Sequence, residues 1–217
     1  MEIARYIDHT ALKATATETD IVQLCREAAE YDFYAVCVNS CWTSLCKKQL
    51  KNTYIKIAVT IGFPLGAMST ASKIAEARSA VENGADEIDM VMNIGKFKSG
   101  DHAFVEQEIR EIKKSIGRKI LKVIIETCYL DMEEKEIATD IACKAGADFV
   151  KTSTGFGSGG ATLEDVILLK AIASGRAKIK ASGGIKDHDT AAAYIKDGAD
   201  RIGTSSGVEI VKNTKKS

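Results

Sequence analysis

Four charged residues lie inside runs that are otherwise apolar: Asp89 in EIDMVMN, Glu126 in KVIIETC, Lys151 in FVKTST and Lys180 in KIKASGG. A charge in such a run needs a reason, because a desolvated charge is costly unless it is paired or used. The chemistry open to this set is carbonyl chemistry. A neutral lysine amine adds to an aldehyde and forms an imine, an electron sink that weakens a neighbouring carbon–carbon bond. At an ordinary pKa of ~10.4, only about one lysine in 2,500 is neutral at pH 7. A second cation nearby and partial loss of solvent both favour the neutral amine. Lys151 and Lys180 fall on what read as consecutive strands, which in a sheet lie ~4.8 Å apart. The competing reading is an ion-pair network that only stiffens the fold, but two adjacent ammonium groups are a poor choice for that purpose.

The elements that must position these residues announce themselves through a repeated joint. NGAD at Asn83, AGAD at Ala145 and DGAD at Asp197 each follow an Ala-rich amphipathic segment and precede a short apolar run. The glycine can adopt the left-handed conformation that ends a helix, after which a strand begins. AEYDFYAVCV at Ala29 follows the same plan with a different filler. Adding EIARYID, YIKIAVTIG, ILKVIIET and AKIKAS gives eight strands starting near 3, 33, 55, 87, 120, 148, 177 and 200, with helices expected over 19–30, 41–50, 72–83, 102–115, 133–144, 163–174 and 188–196. That count predicts an α/β chain forming a single (β/α)8 TIM barrel, with an open doubly wound sheet as the alternative. All four charges sit late in their strands, at the C-terminal mouth where this fold builds its sites. Alternation along EIDMVM puts Glu87, Asp89 and Val91 on the barrel side and Ile88, Met90 and Met92 toward the helices.

The loops after the last three strands have oxyanion-binding composition. ASGGIKD carries Gly183 and Gly184, GTSSGVEI carries Ser205 and Ser206 opening the last helix, and TGFGSGGAT carries Gly155. In a barrel, the loops after strands 7 and 8 often hold phosphate through backbone N–H groups. Each loop alone would also suit an ordinary cap or turn.

Bulk properties narrow the partners. Lys plus Arg and Asp plus Glu both number 30, so no net field draws the chain to nucleic acid or an anionic membrane. No apolar stretch has the roughly 20 residues of a membrane span, and MEIARYIDHT lacks the order of a secretory signal, so a cytoplasmic protein is expected. Partners should be small molecules or further copies of the chain, as a homodimer or higher homo-oligomer. One proline and no low-complexity linker argue for one domain over 1–217. Cys37, Cys41 and Cys46 are spaced C-x3-C-x4-C, which matches neither zinc pairs nor iron–sulfur runs, so no metal is expected.

Taken together, IDHT, IGFPLGA, EIDMVMNIG, KVIIET, FVKTSTGFGSGGAT, IKASGGIKD and RIGTSS make the chain resemble the deoxyribose-phosphate aldolase family over essentially its whole length. The resemblance implies retro-aldol cleavage of 2-deoxyribose 5-phosphate to glyceraldehyde 3-phosphate and acetaldehyde, in deoxynucleoside breakdown, with no cofactor. It implies Lys151 as the imine-forming residue, Lys180 as the cation that lowers its pKa, and Asp89 as an aid to proton transfer. It also implies Gly183, Gly184, Ser205 and Ser206 as phosphate holders. Asp8 and Glu126 are further candidates for holding the lysines and a water, or serve structure alone. Two departures stand out: Phe156 occupies a position where some members carry a phosphate-touching lysine, and the chain ends KNTKKS where some end in a tyrosine. The rivals are another phosphosugar barrel, either a different imine-forming aldolase or a carboxylate isomerase, and a catalytically silent phosphosugar-binding protein.

Overall fold

Each GAD joint does two jobs in the computed structural model, which describes residues 2–212. Gly84, Gly146 and Gly198 take positive φ (+108°, +89° and +128°) and end their helices. The aspartate that follows then accepts the backbone N–H at the start of the preceding strand: Asp86 from Ile57 at 3.1 Å, Asp148 from Leu121 at 2.7 Å and Asp200 from Ile179 at 2.9 Å. The same aspartates donate their own N–H groups to the carbonyls of those residues. A helix stop and a strand register are therefore written into four residues. At the variant joint, Asp32 itself adopts φ +53° in the glycine's place.

The strands are β1 Ile7–Ala11, β2 Ala35–Asn39, β3 Lys56–Ile61, β4 Glu87–Val91, β5 Ile120–Ile124, β6 Phe149–Lys151, β7 Lys178–Ser182 and β8 Arg201–Thr204. All pair in parallel with their sequence neighbours, and β8 closes on β1, as the expected (β/α)8 barrel requires. Seven strands begin within two residues of expectation. The first does not: Ile3–Tyr6 forms a 3-10 turn, and the strand starts at Ile7. The turn packs Ile3 and Ala4 into the base of the barrel against the last helices, a use of apolar residues that strand pairing did not require.

The helices are α1 Glu18–Glu30, α2 Thr43–Gln49, α3 Thr70–Glu82, α4 Ile94–Lys98, α5 His102–Ser115, α6 Met132–Lys144, α7 Leu163–Ala173, α8 His188–Lys196 and α9 Gly207–Lys212. Cys41 and Trp42, expected to open the second helix, lie instead in a separate 3-10 turn over Ser40–Trp42. The five-residue α4, capped by the Asn93 side chain, is too short to show a helical period in sequence. Ile88, Met90 and Met92 pack outward in the strand–helix core. Within α3, buried Lys73 donates to the Val91 carbonyl at the end of β4 (2.9 Å) and to Glu108 of α5 (2.8 Å), which pins the strand carrying Asp89.

Candidate active site

The inward positions of the strands carry charge in place of the usual aliphatic layers. Asp89 on β4 is fully buried and accepts from three lysines on the next three strands. Its Oδ1 accepts from Lys122 Nζ on β5 at 2.7 Å; its Oδ2 accepts from Lys151 Nζ on β6 at 2.9 Å and from Lys180 Nζ on β7 at 2.7 Å. Asp8 on β1 lies 2.5 Å from Lys180 Nζ and accepts from Arg201 Nη1 on β8 at 2.5 Å. Glu87, two residues before Asp89, pairs with Lys122 at 2.5 Å and Arg201 at 3.2 Å. The register Lys151↔Lys180 makes the two lysines strand neighbours, as the sequence suggested.

The two ammonium groups do not face each other bare, however, because one carboxylate oxygen lies between them. Burial alone would raise the pKa of Asp89, but Lys122, Lys151 and Lys180 outweigh it and hold the carboxyl well below its ordinary value. Asp8 is held down against burial chiefly by Lys180 and Arg201. Burial would likewise push Lys180 down; Asp8 and Asp89 win, so its pKa stands above the ordinary lysine value. Lys122 is raised in the same way against burial by Asp89 and Glu87, and Arg201 by Asp8 and Glu87. Three carboxylates thus meet three cations that stay charged, and Lys151 is the fourth basic group.

Lys151 also differs in access. A cavity of about 730 Å³ opens at the C-terminal mouth, and Lys151 is the amine of this network that lines it. Lys122 and Lys180 have no exposed surface. The walls near Lys151 include Gly155, Phe156, Gly183, Gly184 and Ser205. Phe156 is half exposed and meets Phe63 edge to face, with ring centroids 5.3 Å apart. Gly183 and Gly184 hold φ +87° and +81°. A Cβ on Gly183 would lie 2.9 Å from the Gly160 Cα, so that glycine serves loop-to-loop contact, whereas one on Gly184 would meet nothing within 4 Å.

The geometry distinguishes the remaining candidates. Ser206 does not join Ser205 on the cavity wall; its N–H is taken by Thr204 Oγ1 at 2.9 Å as the chain turns into α9. Glu126 does not hold the lysines. Its backbone turns left-handed (φ +55°), which aims the carboxylate at Thr154 of the next loop. Asp8, by contrast, does hold Lys180. The three cysteines occupy three environments: Cys37 is buried with Sγ 3.9 Å from Asp89, Cys41 is exposed, and Cys46 is buried in the helical layer. Burial pushes the Cys37 thiol up. Among the described residues, no group of three or more His, Cys, Asp or Glu is arranged to hold a metal. No helix among them is long and apolar enough to cross a membrane. Of the chain-end KNTKKS, residues 213–217 lie outside the described ones.

Sequence reading missed Lys122 and Arg201 and left Glu87 without a role, although the two-residue spacing Glu87, Asp89 was a usable signal. It also missed Lys13 and Lys186, which bring two exposed cations to the cavity wall.

Comparison with known proteins follows the same lines. A family model described as DeoC/LacD family aldolase matches residues 3–214. A Finegoldia magna deoxyribose-phosphate aldolase is 57% identical over 212 residues, covering 98% of this chain and 100% of that one. A Thermococcus gammatolerans deoxyribose-phosphate aldolase is 54% identical over 219 residues, covering 99% and 97%. Among solved structures, the deoxyribose phosphate aldolase of Aeropyrum pernix, described as a tetramer, superposes with a TM-score of 0.90 at 33% identity, covering 99% of this chain and 91% of that one.

Proposed function

This chain belongs to the DeoC/LacD aldolase family, and from that premise we propose that it cleaves 2-deoxyribose 5-phosphate to glyceraldehyde 3-phosphate and acetaldehyde through an imine on Lys151. The observation that carries the proposal is the position of Lys151: it alone in the buried network faces the cavity, and it shares an Asp89 oxygen with Lys180. The charge count supports its role. With Lys122, Lys180 and Arg201 charged against Asp8, Glu87 and Asp89, loss of a proton from Lys151 leaves the network neutral.

The neutral amine adds to C1 of the open-chain sugar, and loss of water gives a protonated imine. Acetaldehyde takes two carbons, so the bond that breaks is C2–C3. A base removes the C3 hydroxyl proton, the C3–O bond becomes a carbonyl, and the C2–C3 electron pair moves into the imine to give an enamine. The base is a water in the cavity beside Lys151, oriented by the fixed charges of Asp89 and Lys180 behind it, and the proton it takes is returned to the enamine in the later step. Glyceraldehyde 3-phosphate departs. Protonation of the enamine at C2 and hydrolysis release acetaldehyde and restore Lys151.

The phosphate is received by backbone N–H groups and hydroxyls of the loops bearing Gly155, Gly183, Gly184, Ser205 and Ser206, with Lys186 and Lys13 adding charge. Phe156 supplies an apolar wall instead of a further cation. We extend to this chain a cytoplasmic role in deoxynucleoside breakdown and a homo-oligomeric state, the latter supported by the tetrameric relative. The test is turnover by the purified protein: equal amounts of the two aldehydes should form from 2-deoxyribose 5-phosphate, undiminished by EDTA. Loss of activity in EDTA with recovery on adding zinc would overturn the metal-free imine route.

A further inference from the structure

Glu126 is buried, and its carboxylate accepts from the loop that follows β6 at Thr154 and, at 3.9 Å, from the Cys128 thiol of its own loop. The chain on either side is paired to the extension of β6, Ile125 N–H to the Lys151 carbonyl at 3.0 Å and Thr127 N–H to the Thr152 carbonyl at 2.9 Å. Between these anchors Glu126 takes a left-handed conformation, rare for a residue with a Cβ and kept only where the surroundings demand it. That turn delivers the carboxylate to Thr154. Its Oε1 accepts the Thr154 N–H at 3.1 Å and its Oε2 accepts the Thr154 hydroxyl at 2.5 Å. With its hydrogen committed to Glu126, the Thr154 hydroxyl accepts the Phe156 N–H at 2.9 Å.

This relay fixes the backbone on both sides of Gly155. The same loop lies directly on the loop after β7. Ala161 N–H donates to the carbonyls of Ser182 and Gly183 at 3.0 and 3.1 Å, and a Cβ on Gly160 would stand 2.1 Å from the Gly183 carbonyl oxygen. Two of the proposed phosphate loops are therefore one packed body, and Glu126 holds one end of it.

We propose that Glu126 is a positioning residue for the phosphate end: through Thr154 it sets the surface that the loops after β6 and β7 jointly present to the oxyanion. The inference rests on the reading that this cavity receives a sugar phosphate. It makes a prediction opposite in sign to simple electrostatics. Removing a buried anion near a phosphate site should tighten anion binding if charge were the main effect, whereas loss of loop positioning should weaken it.

The experiment is calorimetric binding of inorganic phosphate to the intact protein and to Glu126→Ala, Thr154→Val, Thr154→Ser and the double variant Glu126→Ala/Thr154→Val. Phosphate should bind at least tenfold more weakly to the Ala and Val variants. Thr154→Ser, which keeps the hydroxyl, should stay within twofold of wild type, and the double variant should be no weaker than the poorer single. Borohydride trapping of acetaldehyde, which has no phosphate, should proceed in Glu126→Ala within about twofold of the wild-type rate. If Glu126→Ala does not fold, the near-isosteric Thr154→Val carries the test against Thr154→Ser. Wild-type binding that is unchanged or tightened by Thr154→Val overturns the role of Glu126 alone. Failure of the wild type to bind phosphate overturns the placement of the phosphate end, and this inference with it.

Discussion

Replacing Lys180 with leucine should leave the nucleophile in place but withhold it at neutral pH. Lys151 and Lys180 donate to the same Asp89 oxygen at 2.9 and 2.7 Å, so their nitrogens are no farther apart than the sum of those distances, about 5.6 Å. At an effective dielectric constant of about 20, two like charges at about 5.6 Å repel by about 3 kcal/mol. Removing that repulsion also leaves three carboxylates facing Lys122 and Arg201, so the Lys151 ammonium becomes the cation that balances them. Both effects favour its protonated form. Borohydride trapping with acetaldehyde should therefore slow by about two powers of ten at pH 7 in Lys180→Leu, at about 1.4 kcal/mol per tenfold. It should recover most of that loss between about pH 9 and 10, and circular dichroism should report a folded protein at both values. A trapping rate at pH 7 equal to wild type, or a loss that pH does not repair in the folded variant, would refute the charge argument.

Other consequences follow from the same geometry. Gly184 has open space beyond its Cα and φ +81°, so Gly184→Val should put a strained side chain into the cavity. We expect a rise in KM for 2-deoxyribose 5-phosphate of about tenfold or more, the scale of one lost charge-assisted hydrogen bond, with little change for unphosphorylated 2-deoxyribose; equal effects on both would place the phosphate elsewhere. The buried network also fixes the sign of a pH dependence. Asp8 and Asp89 are depressed below the ordinary 3.8, so their stabilisation is complete above that pH and is lost as pH falls below it. Lys122 and Lys180 are raised above 10.5, so theirs is complete below that pH and is lost as pH rises past it. In Lys151→Leu, which removes the nucleophile's own titration, denaturant midpoints should show the remaining network's contribution flat between about pH 4 and 10; a mid-range step in that variant that Asp89→Asn removes would contradict the assigned charge states.

The barrel was legible because its joints are local. A helix stop and a strand register are carried by Gly-Ala-Asp, and a charge among aliphatic neighbours shows without any tertiary knowledge. Lys151, Lys180 and Asp89 were singled out for that reason, and alternation placed Asp89 on the inward face that it occupies. Arg201 escaped because it opens its strand, where a charged residue reads as the solvated end of a loop; Lys122 stands mid-strand between Leu121 and Val123 and carried the same signal as the others, unused. Only closure of the barrel brings Arg201 to Asp8, 193 positions away in the chain. Glu126 was left open between two roles for a different reason: a strand-like reading points its side chain with the alternation, and the left-handed turn at that residue redirects it. Ile3–Tyr6 was read as strand because a buried 3-10 turn and a strand draw on the same apolar residues.

The central claim is that Lys151 forms the imine, and reductive trapping tests it most directly. Wild-type protein treated with acetaldehyde and borohydride should gain one ethyl group, mapped by peptide mass spectrometry to Lys151. Lys151→Leu should gain none at any pH between 7 and 10. An ethyl group on Lys180 in wild type, or an adduct that persists in Lys151→Leu with Lys180 as its site, would contradict the account.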